Sequence, residues 1–337
     1  MKRLYYSNVS VNGVDIVKML HDAKIYLPEE IVLLNETEWE TPQITAEFVS
    51  ELKKINIRFR ILHGSFNCKY YAELIKNLGM NEGDIEFWNT HWLNWTEIQL
   101  HSAYKTYQPK PDKFKYPFIS LNNRSQLHRC VFIDQLARLN LIDKGAVSWL
   151  RYENENAEYP YEYFDNKIRI LDPGYTVQNT PVTLFPAEFH ESLFHVVSET
   201  TSVAFNIPMI SEKTAIPLFY KKPFVVLGAS DHHKNLVNLG FKLYDEIIDY
   251  SFDAVENLNQ RAAMLVDQLT KLIDINYIEV YNILKPKIEY NYNRAIEIVQ
   301  SLEYIPNIIK ERHREFILNG EAVSTDGRFD EMIRKAK

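Results

Sequence analysis

The apolar positions of the first hundred residues fall into short runs that alternate with segments of helical spacing. LYYSNVSV (4–11), EEIVLLNE (29–36), NIRFRILHG (56–64) and DIEFWN (84–89) are compact runs of the length a buried strand takes. Between them VDIVKMLHDA (14–23), TPQITAEFVSELKKI (41–55) and KYYAELIKNLGM (69–80) space their apolar residues as helices do, and Gly79 closes the last. Such alternation predicts parallel βαβ units. The pattern stops in TYQPKPDKFKYP (106–117), which is rich in proline and lysine, poor in apolar residues, and reads as a linker.

Beyond it the alternation restarts. FISLNN (118–123), AVSWLRY (146–152), LFHVVSE (193–199), PFVVLG (223–228) and FKLYDEII (241–248) predict strands. Helices are expected over 124–142, with apolar Leu127, Val131, Leu136 and Leu139, and over SEKTAIPLFYKK (211–222) and HHKNLVNLG (232–240). The stretch 153–178, crowded with Tyr, Asn, Asp and Pro, reads as loop. From about Phe252 to Phe316 the spacing is helical, with breaks expected at Pro286 and Pro306. The expected architecture is α/β: two Rossmann-like domains facing across a cleft, 1–110 and 118–285, joined by a linker at 111–117. A helical segment, 286–337, follows and packs back on the first domain.

Composition narrows the function classes. The chain has 337 residues, 44 of them aromatic, with 14 prolines and 10 glycines, which suits a well-packed globular protein and not a disordered one. Cys68 and Cys130 are too few for a disulfide framework, so a reducing compartment is expected. No apolar run reaches the roughly 18 residues of a membrane span, and MKRLYYSNVSVNGVD lacks a signal-peptide core, so the expected location is the cytoplasm. A net charge of −7 argues against a surface devoted wholly to nucleic acid. The glycines are so placed that G-x-G-x-x-G, G-x-x-x-x-G-K-[ST] and G-x-S-x-G are all absent.

In open parallel sheets a ligand sits beyond the carboxyl ends of the strands, so the candidate chemistry is sought there. Ser120, Asn122 and Asn123 end one strand, with Arg129 in the first turns of the helix that follows. Glu199 ends another strand, and after a polar loop Ser211, Glu212, Lys213 and Thr214 open a helix. A helix N-terminus offers free N–H groups and a positive dipole end, which suits phosphate. Arg129 and Lys213 would add two cations able to hold a diphosphate and stabilise its charge as it leaves. The plainer reading of the same residues is an ordinary Ser211 helix cap beside a solvated lysine.

Two blocks carry a resemblance. ISLNNRSQLHRCVFIDQLARLNLIDKGAVS (119–148) and FHVVSETTSVAFNIPMISEKTAIPLFYKKPFVVLGA (194–229) resemble the α1,3-fucosyltransferase family and its soluble bacterial and viral relatives, which are inverting glycosyltransferases of GT-B architecture. The match spans roughly residues 118–250. The resemblance implies a nucleoside-diphosphate-sugar donor held by the second domain, with Arg129 and Lys213 on the diphosphate, Glu212 near the donor sugar and Glu199 organising the site. The first domain would present the acceptor. Many family members carry a Gly-Glu pair at a strand end of the first domain, whose Glu is the base. The corresponding strand here reads Gly64-Ser65, so that role does not transfer.

Deprotonating an acceptor hydroxyl still needs a side chain within reach. The strand ends of the first half offer Glu36, His63 and His91, and a structural role for His63 competes with the catalytic one. No metal is expected: D-x-D is absent. His190 and His195 are five apart, about 140° around a helix, which H-E-x-x-H does not allow. Phe87, Trp88, Trp92 and Trp95 could stack on a sugar, although core packing is their commoner use.

The leading expectation is thus a metal-independent inverting glycosyltransferase, needing no cofactor beyond its nucleotide-sugar donor and acting on a glycan hydroxyl or similar. Two alternatives stand beside it. One is a phage-type DNA glycosyltransferase acting on a hydroxymethylated base, with Lys105, Lys110, Lys113 and Lys115 on the anionic acceptor. The other is a non-catalytic nucleotide-sugar-binding module.

Overall fold

Two four-stranded parallel sheets form in the computed structural model of the protein, which describes residues 3–7, 16–35, 44–66, 69–100, 103–122, 126–149, 171, 185–199 and 208–311. The chain divides into two units: Met1–Trp92 together with the chain from Gln300 on, and Leu93–Val299.

The first unit holds β1 (Arg3–Ser7), α1 (Ile16–Tyr26), β2 (Glu30–Asn35), α2 (Ala46–Lys54), β3 (Arg58–His63), α3 (Lys69–Leu78) and β4 (Ile85–Phe87), and the sheet runs in that order. Side chains alternate across a strand. Accordingly Ile31 and Leu33 of β2 and Phe59 and Ile61 of β3 pack on Met19, Ala23, Phe48, Val49, Leu52 and Leu78. Thr45 starts α2 by accepting the Phe48 N–H at 3.2 Å.

The other set of β2 and β3 positions includes two buried charges, Glu30 and Arg60. Such groups are tolerated only when paired. Arg3 and Arg60 both bond Glu30, Arg60 also bonds Glu86, and each arginine lies 3.2 Å from Glu311 Oε2. Residues 307–311 are helical, so this network ties the far end of the described chain to its first strand.

The second unit begins inside α4 (His91–Gln99) and continues with β5 (Tyr116–Asn122), α5 (Leu127–Arg138), β6 (Ala146–Trp149), α6 (Ala187–Glu191), β7 (Ser192–Ser198), α7 (Glu212–Phe219), β8 (Phe224–Leu227), α8 (His232–Asn238), α9 (Leu258–Thr270) and α10 (Tyr277–Gln300). Its sheet order is β6-β5-β7-β8, all parallel. Every residue of β6, β7 and β8 is buried, as expected of strands covered on both faces.

The proline- and lysine-rich stretch falls within the second unit, where the Lys115 N–H donates to Glu191 O at 2.7 Å and its ammonium bonds Glu191 Oε1 at 2.8 Å. Two expectations are corrected here. Residues 241–248 form no strand. The Lys242 N–H and C=O are both satisfied by the Asn291 side chain at 2.8 Å, and the N–H groups of Ile247 and Ile248 turn back to Tyr244 O. Finally α10 runs through Pro286. Packing of Val280, Tyr281, Leu284 and Ile288 outweighs the lost backbone bond, and the break falls earlier, where Asp274 turns left-handed (φ 63°).

Among the described residues no helix is long and apolar enough to cross a membrane.

Candidate functional site

The two sheets differ in one respect that locates a site. In the first unit each new strand adds on the same side of the last. In the second, the chain goes from β5 to β6 on one side and then passes back over β5 to β7 on the other. The carboxyl ends of β5 and β7 therefore flank a topological switch point, the place where open parallel sheets bind their ligands.

Glu199, the residue after β7, organises this point. Its N–H donates to Leu227 O of β8 at 3.0 Å, and its carbonyl accepts from His128 Nε2 and, at 3.3 Å, from Arg129 Nη2 of α5. Its carboxylate Oε1 accepts the Ser211 N–H at 3.1 Å and the Thr214 hydroxyl, both at the start of α7. One residue thus joins two strand ends to two helix N-termini. The second carboxylate oxygen, Oε2, is buried without a hydrogen bond. Burial pushes the Glu199 pKa up, and the pull of Lys213, Ser211 and Thr214 only partly offsets it.

Ser211 caps α7, accepting the Lys213 N–H at 3.2 Å. The Lys213 ammonium rests against Glu212 Oε1, and these two side chains keep partial exposure, 29% and 24%. Burial works to raise the Glu212 pKa, but Lys213 beside it and Arg129 further off hold it below the usual carboxylate range. His128 is held neutral, its pKa driven far down by burial first and then by the positive charges of Arg129, Lys213 and Arg261. The positive fields of three cations therefore overlap at the switch point.

Arg261, on α9, was not legible as a site residue. It is almost wholly buried, with Nε on Gly228 O at 3.0 Å and Nη1 on the carbonyls of Val255 and Glu256. The available signal was a cation on the apolar stripe formed with Ala262, Leu265 and Leu269.

The expected residues fare unequally. Arg129, Glu199, Ser211, Glu212, Lys213 and Thr214 are brought together as described. Ser120 and Asn122 are completely enclosed: Asn122 Nδ2 donates to Ser120 Oγ at 3.0 Å and to Ser148 O at 3.3 Å, locking β5 to β6. Their part is to frame the strand end, and only Asn122 Oδ1 is left without a bond. Asn123 and Glu36 lie outside the described residues.

His63 ends β3 and His91 opens α4; the Trp88 N–H donates to His63 O at 2.7 Å, and the His91 N–H to Trp88 O at 3.2 Å. His63 is nonetheless ill suited to be a base. Its Nδ1 accepts the Ser65 N–H at 3.2 Å, its Nε2 lies 2.7 Å from Tyr71 Oη, and burial depresses its pKa to about 3. Both nitrogens are thus occupied, one by the Ser65 N–H of the turn and the other by the Tyr71 hydroxyl of α3. His91 is buried, its ring 5.0 Å from that of Trp88 and 5.4 Å from that of Trp92. Trp88 is likewise buried, so the described part of the aromatic cluster packs; the Trp95 side chain lies outside the described set. Among the described residues no group of three His, Cys, Asp or Glu side chains is placed to hold a metal.

Glu199 also allows a stability prediction. Glu199→Ala leaves the buried Ser211 N–H and Thr214 hydroxyl without an acceptor, which should cost about 2–4 kcal/mol. The fall in Tm should be several degrees in a thermal melt. Glu199→Gln keeps one carbonyl oxygen in place and should lose less than half as much.

No protein-family model matches the chain, and no curated protein matches it. One similar solved structure is a glycosyltransferase from Rickettsia africae ESF-5, 12% identical, with a TM-score of 0.37 over 90% of this chain and 81% of that one. A likeness of that size carries no argument about fold or chemistry.

Proposed function

We propose that the protein is an inverting, metal-independent glycosyltransferase that uses a nucleoside-diphosphate sugar. The observation that supports this reading is the meeting of Arg129 and Lys213 at the capped N-terminus of α7, on the switch point of a parallel sheet. In this reading the two parallel sheets belong to the two domains of a GT-B arrangement, the second binding the donor and the first presenting the acceptor.

The chemistry follows from charge. An acceptor hydroxyl oxygen bonds to the anomeric carbon from the face opposite the diphosphate. The bond from that carbon to the diphosphate oxygen breaks with its electron pair, and the acceptor proton passes to a base that has no assigned residue. Arg129 and Lys213 stabilise the negative charge that grows on the leaving diphosphate. Until the donor arrives, Glu212 holds the Lys213 ammonium in position. A glycan hydroxyl is the favoured acceptor. Of the lysines that suggested DNA, three have an acid beside them: Lys105 lies 3.7 Å from Glu97, Lys113 3.8 Å from Asp112 and Lys115 2.8 Å from Glu191.

The test is a thermal-shift screen of GDP, UDP, CDP and dTDP with their common sugar conjugates. A ligand at 100 times its Kd should stabilise by about 2.7 kcal/mol, a readily visible rise in Tm. Selective stabilisation by one nucleotide and its conjugates is expected; no shift with any of them removes the reading.

A further inference from the structure

Two adjacent histidines open α8, after Asp231 turns left-handed at φ 60°. They are buried alike, and their hydrogen bonding could not differ more. His233 is fully employed: its Nδ1 is 2.7 Å from Asp253 Oδ1, and its Nε2 accepts the Val226 N–H at 3.1 Å. His232 is 1% exposed, and neither of its ring nitrogens has a hydrogen-bond partner. Leaving a buried polar group unpaired is costly. A fold that satisfies His233 completely and its neighbour not at all leaves His232 to a ligand.

Its surroundings belong to the same strand-end layer as the candidate site. The ring lies on Gly228, the residue after β8. A Cβ at that position would come within 2.8 Å of His232 Nδ1, so glycine is what lets the imidazole rest on the strand end. Arg261 holds Gly228 O. Ser198 pairs with Leu227, so Gly228 comes level with Glu199, and Glu199 Oε2 and Ser198 Oγ are also buried without a partner at these two strand ends.

The charged and titratable groups around the ring are His233, Asp253 and Arg261. Burial first, then His233 and Arg261, depress its pKa to about 3 against the opposing pull of Asp253, so the imidazole is neutral. A neutral imidazole presents one N–H donor and one lone-pair acceptor. Phosphate oxygens only accept and would leave the lone pair unanswered. A hydroxyl both donates and accepts.

Resting on the glycosyltransferase reading, we propose that His232 binds a hydroxyl of the nucleotide sugar, on the ribose or on the transferred sugar, while Arg129 and Lys213 hold the diphosphate. Both sources offer the same chemistry, and comparing ligands separates them.

The experiment measures Kd by calorimetry for wild type, His232→Phe and Lys213→Ala with GDP, GDP-mannose, UDP and UDP-glucose, together with the Tm of each ligand-free protein. His232→Phe should weaken the best ligand about 10-fold, the loss of one neutral hydrogen bond. Its Tm should not fall, because no bond within the protein is removed. A loss shared by the diphosphate and its sugar conjugate places the contact on the ribose, and a loss confined to the conjugate places it on the transferred sugar. If His232→Phe binds every ligand as wild type does while Lys213→Ala binds none, the proposal is overturned and the donor-site reading survives. If wild type binds neither these four nor CDP, dTDP and their sugar conjugates, both fall. A His232→Phe protein that fails to fold also overturns the proposal, since the histidine would then be structural.

Discussion

Lys213→Ala is expected to lower nucleotide-sugar turnover by roughly 10²–10³-fold while the protein stays folded. The magnitude is that of removing one preorganised donor aimed at charge that develops in the transition state. The fold is spared because Lys213 contributes little to it. Its ammonium pairs with Glu212, the pair is partly exposed, and such pairs are worth about 0–1 kcal/mol. The cap of α7 is untouched, since Ser211 Oγ accepts the backbone N–H of residue 213 whatever its side chain. The measurement is donor consumption by the variant beside its thermal melt. Turnover within a factor of two of wild type would remove Lys213 from the donor site; lost turnover with a collapsed Tm would make it structural.

A second large effect is expected from acid. His63, His195 and His232 are buried, each with its pKa brought to about 3, principally by burial. In the unfolded chain each returns to about 6.5. The unfolded state therefore takes up protons the folded state refuses, so stability is intact above about pH 6.5 and drains away as pH falls towards 3. At pH 4.5 each histidine should cost about 3 kcal/mol, at roughly 1.4 kcal/mol per pH unit. His195 and His232 lie in the second unit, and His128 there works in the same direction. Their sum approaches the whole stability of a typical domain, about 5–15 kcal/mol. Glu199, whose carboxyl pKa is raised, acts the opposite way and recovers only part of the loss. Thermal melts from pH 7.5 to 4.0 should show the Tm falling steeply below pH 6, the second unit first. A Tm that holds level to pH 4.5 would contradict this account.

The parallel strands were largely legible, because a strand buried on both faces reads as an unbroken apolar run. VVLG and FHVV announce themselves without any tertiary information. FKLYDEII has the same look and became a covering loop, because what decided it was the Asn291 amide, reaching from residues far along the chain. In α5 the spacing pointed to Leu127, Val131, Leu136 and Leu139; Val131 and Leu136 are buried, and Leu127 and Leu139 are exposed. The buried face instead takes in His128, Arg129 and Asp134, since a helix that feeds a polar site must turn polar residues inward. Lys213 and Glu199 could be read from their neighbours at a helix start and a strand end. Arg261 and His232 could not, because what singles them out is a partner or the lack of one.

The ion pairs that join Glu311 to Arg3 and Arg60 have a consequence for the order of events during synthesis. Leu93–Val299 is contiguous and can fold as soon as it clears the ribosome. The first-made sheet cannot finish then. Arg60 sits buried among acids, one of which is 251 residues away, and Ile305, Ile308 and Ile309 also arrive last. The sheet made before Leu93–Val299 is thus completed after it, and it must wait, with a charged strand face uncovered, until residues 305–311 have been made.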